Sequence, residues 1–427
     1  MQVLVIGGGG REHALAWALA RCERVERVHV APGNAGTAEE AGCVNVDIAA
    51  TDIETLCRYA SDHQIDLTVV GPEAPLVAGI VDRFHALGLR CFGPHAAAAR
   101  LEGSKEFSKA FMVRHGIPTA TYRAFTDIDA ALACVDQAVY PLVIKADGLA
   151  AGKGVVIATE RAQARAAVKD MLEEQVFGAA GARVVIEDFL TGEEASFIVL
   201  VGADGQVLPL ASSQDHKARD DGDQGPNTGG MGACSPAPMM TPDLHRRVMD
   251  EVIMPTVRGL AKEGTPYTGF LYAGLMIDAE ERISVLEFNC RLGDPETQPI
   301  LLRLRTDLST LLNAAIDGGL AHVDCEWSDQ VSLGVVMAAG NYPTGGSQGQ
   351  PIDGLDAVSA MHGKVFHAGT THDAAGRVVT AGGRVLCVCA LGDHVADARA
   401  GAYAIVDQIG WDDVHYRRDI GHRALSR

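Results

Sequence analysis

Apolar and polar positions alternate in blocks along the first hundred residues. Short apolar runs at 2–7 (QVLVIG), 28–32 (VHVAP) and 66–73 (DLTVVGPE) have the length of buried parallel strands. Segments of helical length, 11–22, 52–62 and 75–87, lie between and after them, and CFGP (91–94) closes the series. This order predicts a doubly wound parallel sheet. Each run ends in a loop containing Gly or Pro: GGGGREH, PGNAG, GPEAP and GP. In such a fold these loops lie at the carboxyl edge of the sheet, where ligands bind. The first loop fails as a dinucleotide fingerprint. Counting from Gly7, Glu12 falls where the third glycine belongs, and the second strand ends in Ala31-Pro32 with no acid for a ribose. What remains is a row of backbone amides at a helix start, expected to hold a phosphate.

The pattern changes after residue 100. Ser104 is expected to cap a helix running to about His115, stopped by Gly116 and Pro118. A strand at 141–147 (PLVIKAD) enters the glycine hairpin GLAAGKGV (148–155). The hairpin is not a P-loop, because Gly154 stands where Ser or Thr should hold a metal. It can instead fold over a triphosphate, with Lys145 on the preceding strand as a point charge. The strand at 183–190 (RVVIEDFL) ends in TGEE (191–194), where backbone groups could meet a purine edge and a carboxylate could accept ribose hydroxyls. The polar, glycine-rich stretch 220–233 has the length of a functional loop.

Segments 268–278 and 283–293 read as neighbouring antiparallel strands. Val285, Glu287, Asn289 and Arg291 share one parity; Leu286, Phe288 and Cys290 take the other and are expected to bury. The carboxylate and amide oxygens suit Mg²⁺ held with substrate phosphates. Arg291 beside them can clamp a carboxylate or phosphate. Asp294 is expected as the N-cap of a helix opening at Pro295. Beyond residue 317, short strands with glycine turns and a helix at about 394–409 predict a small α+β domain without a catalytic constellation. His362, His367 and His372 are too loosely spaced for a metal set.

Charge and cysteines narrow the class. Net charge is 36 − 55 = −19, which argues against non-specific binding to nucleic acid or anionic membrane. The 10 Cys are scattered, as expected of reduced buried thiols in a cytoplasmic protein. No apolar run reaches membrane-spanning length and no signal peptide is seen, and 427 residues normally divide into two to four domains.

Several blocks, in this order, resemble the glycinamide ribonucleotide synthetase (phosphoribosylamine–glycine ligase) family of the ATP-grasp superfamily. They are GGREHALAW (9–17), APGNAGTA (31–38), DLTVVGPEAPLVAGIVD (66–82), LEGSK (101–105), VIKADGLAAGKGVVIA (143–158), GEEASF (192–197), SQDHK (213–217), GPNTGGMGA (225–233) and EFNCRLGDPETQ (287–298). The resemblance covers nearly the whole chain. It implies an α/β and α+β multidomain architecture: an N-terminal doubly wound domain (1–103), a central ATP-grasp domain (104–328) with a mobile lid at about 123–190, and a C-terminal α+β domain (329–427). It also implies ligation of glycine to 5-phosphoribosylamine with ATP and Mg²⁺, Mn²⁺ being possible, by a monomer or weak homodimer. A sibling ATP-grasp carboxylate–amine ligase, or a carboxyl- or formyl-transferring enzyme, is the alternative.

Carried over by resemblance, Glu287 and Asn289 match metal ligands. Lys105 and Lys145 match phosphate lysines, and Gly152 the lid. Glu187, Phe189 and Leu190 match the adenine-side strand and Glu194 the ribose acceptor. Asp215 and Arg291 match the clamp on glycine's ammonium and carboxylate, so that Arg291, Asp215 and Lys145 form the catalytic set. Gly9, Gly10, Arg11, Glu12, Gly33, Asn34, Pro72 and Glu73 match the ribosylamine site.

Overall fold

The computed structural model describes residues 1–149, 154–174, 176, 178–358 and 361–425. The N-terminal strands form a five-stranded parallel sheet in the order Cys43–Asn45, Arg27–Pro32, Gln2–Gly7, Leu67–Val70, Cys91–Phe92. The helical segment expected at 75–87 is two short helices, Glu73–Val77 and Ile80–Ala86, parted at Gly79, whose φ of +88° breaks the first. The central strand is buried on both faces, and its parity sends side chains into two different cores. Val3 and Val5 pack with the C-terminal strands, whereas Leu4 and Ile6 pack with the central segment. This division is why a continuous apolar run, rather than alternation, encodes the strand.

Two antiparallel sheets follow. One runs Tyr122–Phe125, Val184–Asp188, Leu142–Ala146, Val155–Ala158. It packs on the helices Ile128–Asp136 and Arg161–Leu172 around a core of its own that includes Val135, Ile144, Ala164 and Val168. The other runs Val207–Pro209, Glu193–Val201, Gly269–Ile277, Ile283–Asn289. The first sheet's core is thus separate from those into which the second sheet packs.

The C-terminal sheet holds Lys364–His367, Arg384–Gly392 and Val331–Ala339, with Val414–His415 at its side. Two strands from the central segment extend it, Gly232–Ser235 and Gln214–Asp215. The segment joining them is tied to the C-terminal residues. The wholly buried Arg417 pairs with Asp223 at 2.9 Å and donates to Ala218 O, and Gly222 N donates to Asp419. The long polar stretch is therefore a docked loop. All ten cysteines are free thiols, and among the described residues no helix is long and apolar enough to cross a membrane.

Candidate active site

The strand Ile283–Asn289 departs from its expected parity. Gly274 pairs with Glu287 but Leu275 with Val285, so a bulge at Leu286 inserts one residue. Before the bulge, Ile283 and Val285 face the core; after it, Phe288 and Cys290 do. Val285 therefore lies opposite Glu287, Asn289 and Arg291, not below them, and Leu286 lines the cavity instead of burying. The bulge also turns the Leu286 carbonyl to Lys145, whose Nζ donates to it at 3.2 Å.

A second expectation is corrected at Asp294. The helix is Thr297–Arg303, with Glu296 at its N-cap position and no side-chain cap. Asp294 instead accepts from Gln298 Nε2 (2.9 Å) and Arg11 N (3.4 Å), and Arg384 Nη2 lies 3.6 Å away. Burial would raise its carboxyl, but the charges of Arg384 and Arg11, with the Gln298 hydrogen bond, hold it below the usual range.

A cavity of about 310 Å³ opens between the two antiparallel sheets and the N-terminal domain. Of the residues singled out in the sequence, Arg11, Glu73, Lys105, Lys145, Glu187, Asp215, Glu287, Asn289 and Arg291 line it. Glu194 adjoins it, 2.8 Å from Lys217 Nζ. Phe189 and Leu190 lie just past the strand Val184–Asp188, the former 38% exposed, and neither lines the cavity. Gly152 lies outside the described residues.

Glu287 is the electrostatic centre. Burial would raise its carboxyl, but Lys217, Lys145, Lys105 and Arg291 hold it down to about 2. Each of these cations is committed elsewhere: Lys217 to Glu194, Lys145 to Glu187, Lys105 to Gly148 O, Arg291 to Glu102. Glu287 thus keeps its oxygens for another partner while remaining an anion at any physiological pH. Among the described residues, Asn289 Oδ1 accepts only from Arg291 Nη2, at 3.1 Å. Two hard oxygens with a cation-rich surround fit a divalent ion that is bound together with phosphates. Among the described residues there is no closed cluster of three or more His, Cys, Asp or Glu ligands, as such a shared site requires none.

On the far side, Asp215 is buried and, among the described residues, its Oδ1 has no hydrogen-bond partner. Burial and the neighbouring Glu296 push its carboxyl well up, against the pull of Lys217. Arg291 spans two carboxylates: its Nη2 lies 2.8 Å from Glu102 and its Nε 3.3 Å from Glu73. A carboxylate with an unmet oxygen and a guanidinium therefore line one cavity, a pattern that suits a small zwitterion.

The glycine loops at the sheet edge form a separate cluster beside this cavity. Glu12 is 2% exposed, accepts from Gly9 N at 2.6 Å and pairs with Arg11 Nε at 2.6 Å. One amide of the expected phosphate row is thus already taken. Glu12 fills the space beside Gly7 and Gly71, where an added Cβ would come within 2.5 Å and 2.1 Å of it. Asn34 caps the short helix Ala35–Glu39, and its Nδ2 donates to Gly8 O and to His367 O of the C-terminal domain. Gly33 N bonds to Gly7 O, while Gly10 and Pro72 sit at two helix starts. Glu12 and Asn34 brace the loops, so their carboxylate and amide are largely spent on the protein itself.

Sequence reasoning missed Glu102, Lys109, Lys217 and Arg384. The first and third stand inside quoted motifs and carried a visible signal; Lys109 and Arg384 did not. Arg384 is the C-terminal domain's contribution to the cavity, and its Nη1 donates at 2.6 Å to both Gly229 O and Asp294 O. Replacing it with Met removes the donor to two carbonyls and the larger of the two charges acting on the Asp294 carboxylate. We expect turnover at least about tenfold lower and a stability loss of about 3 kcal/mol, measured by assay and chemical denaturation.

Two facing antiparallel sheets, with a lysine-rich cavity between them and an oxygen pair on the last strand, define an ATP-grasp protein. Comparison with known sequences narrows the class. The descriptions Phosphoribosylglycinamide synthetase N domain, ATP-grasp (A) domain and C domain match residues 1–102, 103–297 and 332–423. The chain belongs to the phosphoribosylglycinamide synthetase family. It is 61% identical over 428 residues to a phosphoribosylamine–glycine ligase of Allochromatium vinosum, covering 100% of this chain and 99% of that one. It is 58% identical to a relative of the same name from Yersinia pestis, with 100% of each covered. The crystal structure of phosphoribosylamine–glycine ligase from Thermotoga maritima aligns with a TM-score of 0.85 at 33% identity, over 98% of this chain and 100% of that one.

Proposed function

We propose that this protein ligates glycine to 5-phosphoribosylamine at the expense of ATP, giving glycinamide ribonucleotide, ADP and phosphate in de novo purine synthesis. The observation that carries the reading is the one cavity in which Glu287 and Asn289, the phosphate-directed Lys105 and Lys145, the Asp215 carboxylate and the Arg291 guanidinium converge. Full-length relatives of the same name support it.

A carboxylate is a poor acyl donor, so its oxygen must first become a good leaving group. A glycine carboxylate oxygen attacks the γ-phosphorus, the bond to the β-phosphate oxygen breaks, and ADP departs. The ribosylamine nitrogen then attacks the carbonyl of glycyl phosphate, phosphate leaves, and the nitrogen loses a proton. Lys105 and Lys145 bind and align the triphosphate, which supplies much of phosphoryl-transfer catalysis. Asp215 takes glycine's ammonium; the Arg291 guanidinium, held by Glu102 and Glu73, orients its carboxylate. Arg11 and Glu73 line the side of the cavity nearest the glycine loops, where the ribosylamine enters. Glu187 holds Lys145, while Phe189, Leu190 and Glu194 serve the adenine and ribose. Glu287 and Asn289 would hold Mg²⁺, or Mn²⁺ in its place, which supplies charge neutralisation at the transferring phosphoryl group.

The test is ADP release with ATP, Mg²⁺, glycine and fresh phosphoribosylamine, omitting one at a time. Release is expected only with all four. Release without glycine, or with another acid replacing it, would move the activity to a sibling ligase.

A further inference from the structure

Lys109 lies on the helix Lys105–Arg114, one turn beyond Lys105 and on the same face. It is 2% exposed, yet lines the cavity. Its Nζ is 2.8 Å from Glu187 Oε2 and donates to Thr119 Oγ1 at 2.7 Å. The Thr119 hydroxyl donates in turn to Val285 O at 2.6 Å. Glu187 Oε1 lies 2.9 Å from Lys145 Nζ, which also donates to Leu286 O. One carboxylate therefore joins two ammonium groups from different elements. Each ammonium is tied a second time to the strand that carries Glu287, through the carbonyls on either side of its bulge.

A stabilising ion pair is the simplest account, but it fits poorly. Buried ion pairs seldom stabilise relative to apolar packing, and two lysines on Glu187 leave one positive charge that this carboxylate does not balance. That charge faces the cavity where the triphosphate is assigned. We propose that Lys109 is a positioning residue for ATP: by sharing Glu187, it keeps Lys145 from closing a one-to-one pair and leaves that ammonium directed at the phosphates. Without Lys109, Glu187 neutralises Lys145 alone and draws it back against the sheet. The inference rests on the ATP reading above.

The test compares Lys109→Met and Thr119→Val with wild type in steady-state kinetics, MgADP titration and thermal melting. Lys109→Met should raise the KM for ATP and the Kd for MgADP about tenfold. The KM values for glycine and phosphoribosylamine should stay within about twofold. Thr119→Val, which frees Lys109 from its anchor, should move the ATP terms alone by about threefold. Unchanged nucleotide affinity in a folded Lys109→Met protein, or an equal rise in all three KM values, overturns the proposal. If that variant does not fold, unchanged nucleotide affinity in Thr119→Val overturns it. Wild-type protein that binds no MgADP would sink the ligase reading itself.

Discussion

Glu287→Gln is expected to abolish ligation while leaving metal-free nucleotide binding intact or tighter. The two halves have one electrostatic cause. Four cations hold the Glu287 carboxyl down to about 2, so it carries a full charge at any working pH. The amide keeps the shape and an oxygen but removes that charge. A divalent ion then loses its anionic protein ligand, and about 4 kcal/mol of transition-state stabilisation goes with it, roughly a thousandfold in rate. At the same time Lys105, Lys145, Lys217 and Arg291 lose their common counter-charge, and the cavity becomes more attractive to a bare polyphosphate. ATP binding should therefore be measured twice, in EDTA and in excess Mg²⁺. Wild type should gain affinity on adding metal, whereas the variant should not. Near-normal turnover, or an undiminished metal effect on binding, would remove Glu287 from the metal site.

The same strand shows how far the sequence could be read. The period-two pattern placed Glu287, Asn289 and Arg291 on one face, and they do share the cavity. It misplaced Val285 and Leu286, because a bulge depends on how Leu275 and Gly274 pair across the sheet, not on the strand's own residues. Asp294 before a proline looked like a cap. Its carboxylate was instead drawn to Arg11, 283 residues away, and to Arg384 from the C-terminal domain. Local propensity carries no information about such partners. For that reason Arg384 and Lys109 stayed invisible: each is an ordinary cation on a strand or helix until the fold sets it against Asp294 or Glu187. The N-terminal sheet was legible because its signal is local, apolar runs alternating with helical segments. That its two faces serve two different cores was not, since both faces are equally apolar.

Arg291→Lys should mainly impair the use of glycine. The guanidinium reaches Glu102, Asn289 and the Leu292 carbonyl, and its Nε lies 3.3 Å from Glu73 at the cavity wall. A lysine ammonium has three donors on a single atom and cannot hold that fork. It should follow the buried Glu102 and abandon the cavity, raising the KM for glycine about a hundredfold, with the KM for ATP changed far less. An unchanged glycine dependence would reject the clamp. Arg291→Met separates the structural half of the role. Burial, with Glu73 beside it, already raises the Glu102 carboxyl above its ordinary 4.5 despite the Arg291 charge. Without that charge it rises further, and breaking the pair should cost about 3–5 kcal/mol at neutral pH. The sign follows from proton linkage. A carboxyl raised in the folded state binds more protons there than in the unfolded chain, so stability is retained below the unfolded value and lost as pH rises towards the folded one. The melting deficit of Arg291→Met relative to wild type should therefore be smaller at pH 5 than at pH 8. A deficit independent of pH would mean that Glu102 keeps its protonation state when Arg291 is removed, and would overturn the linkage between the two.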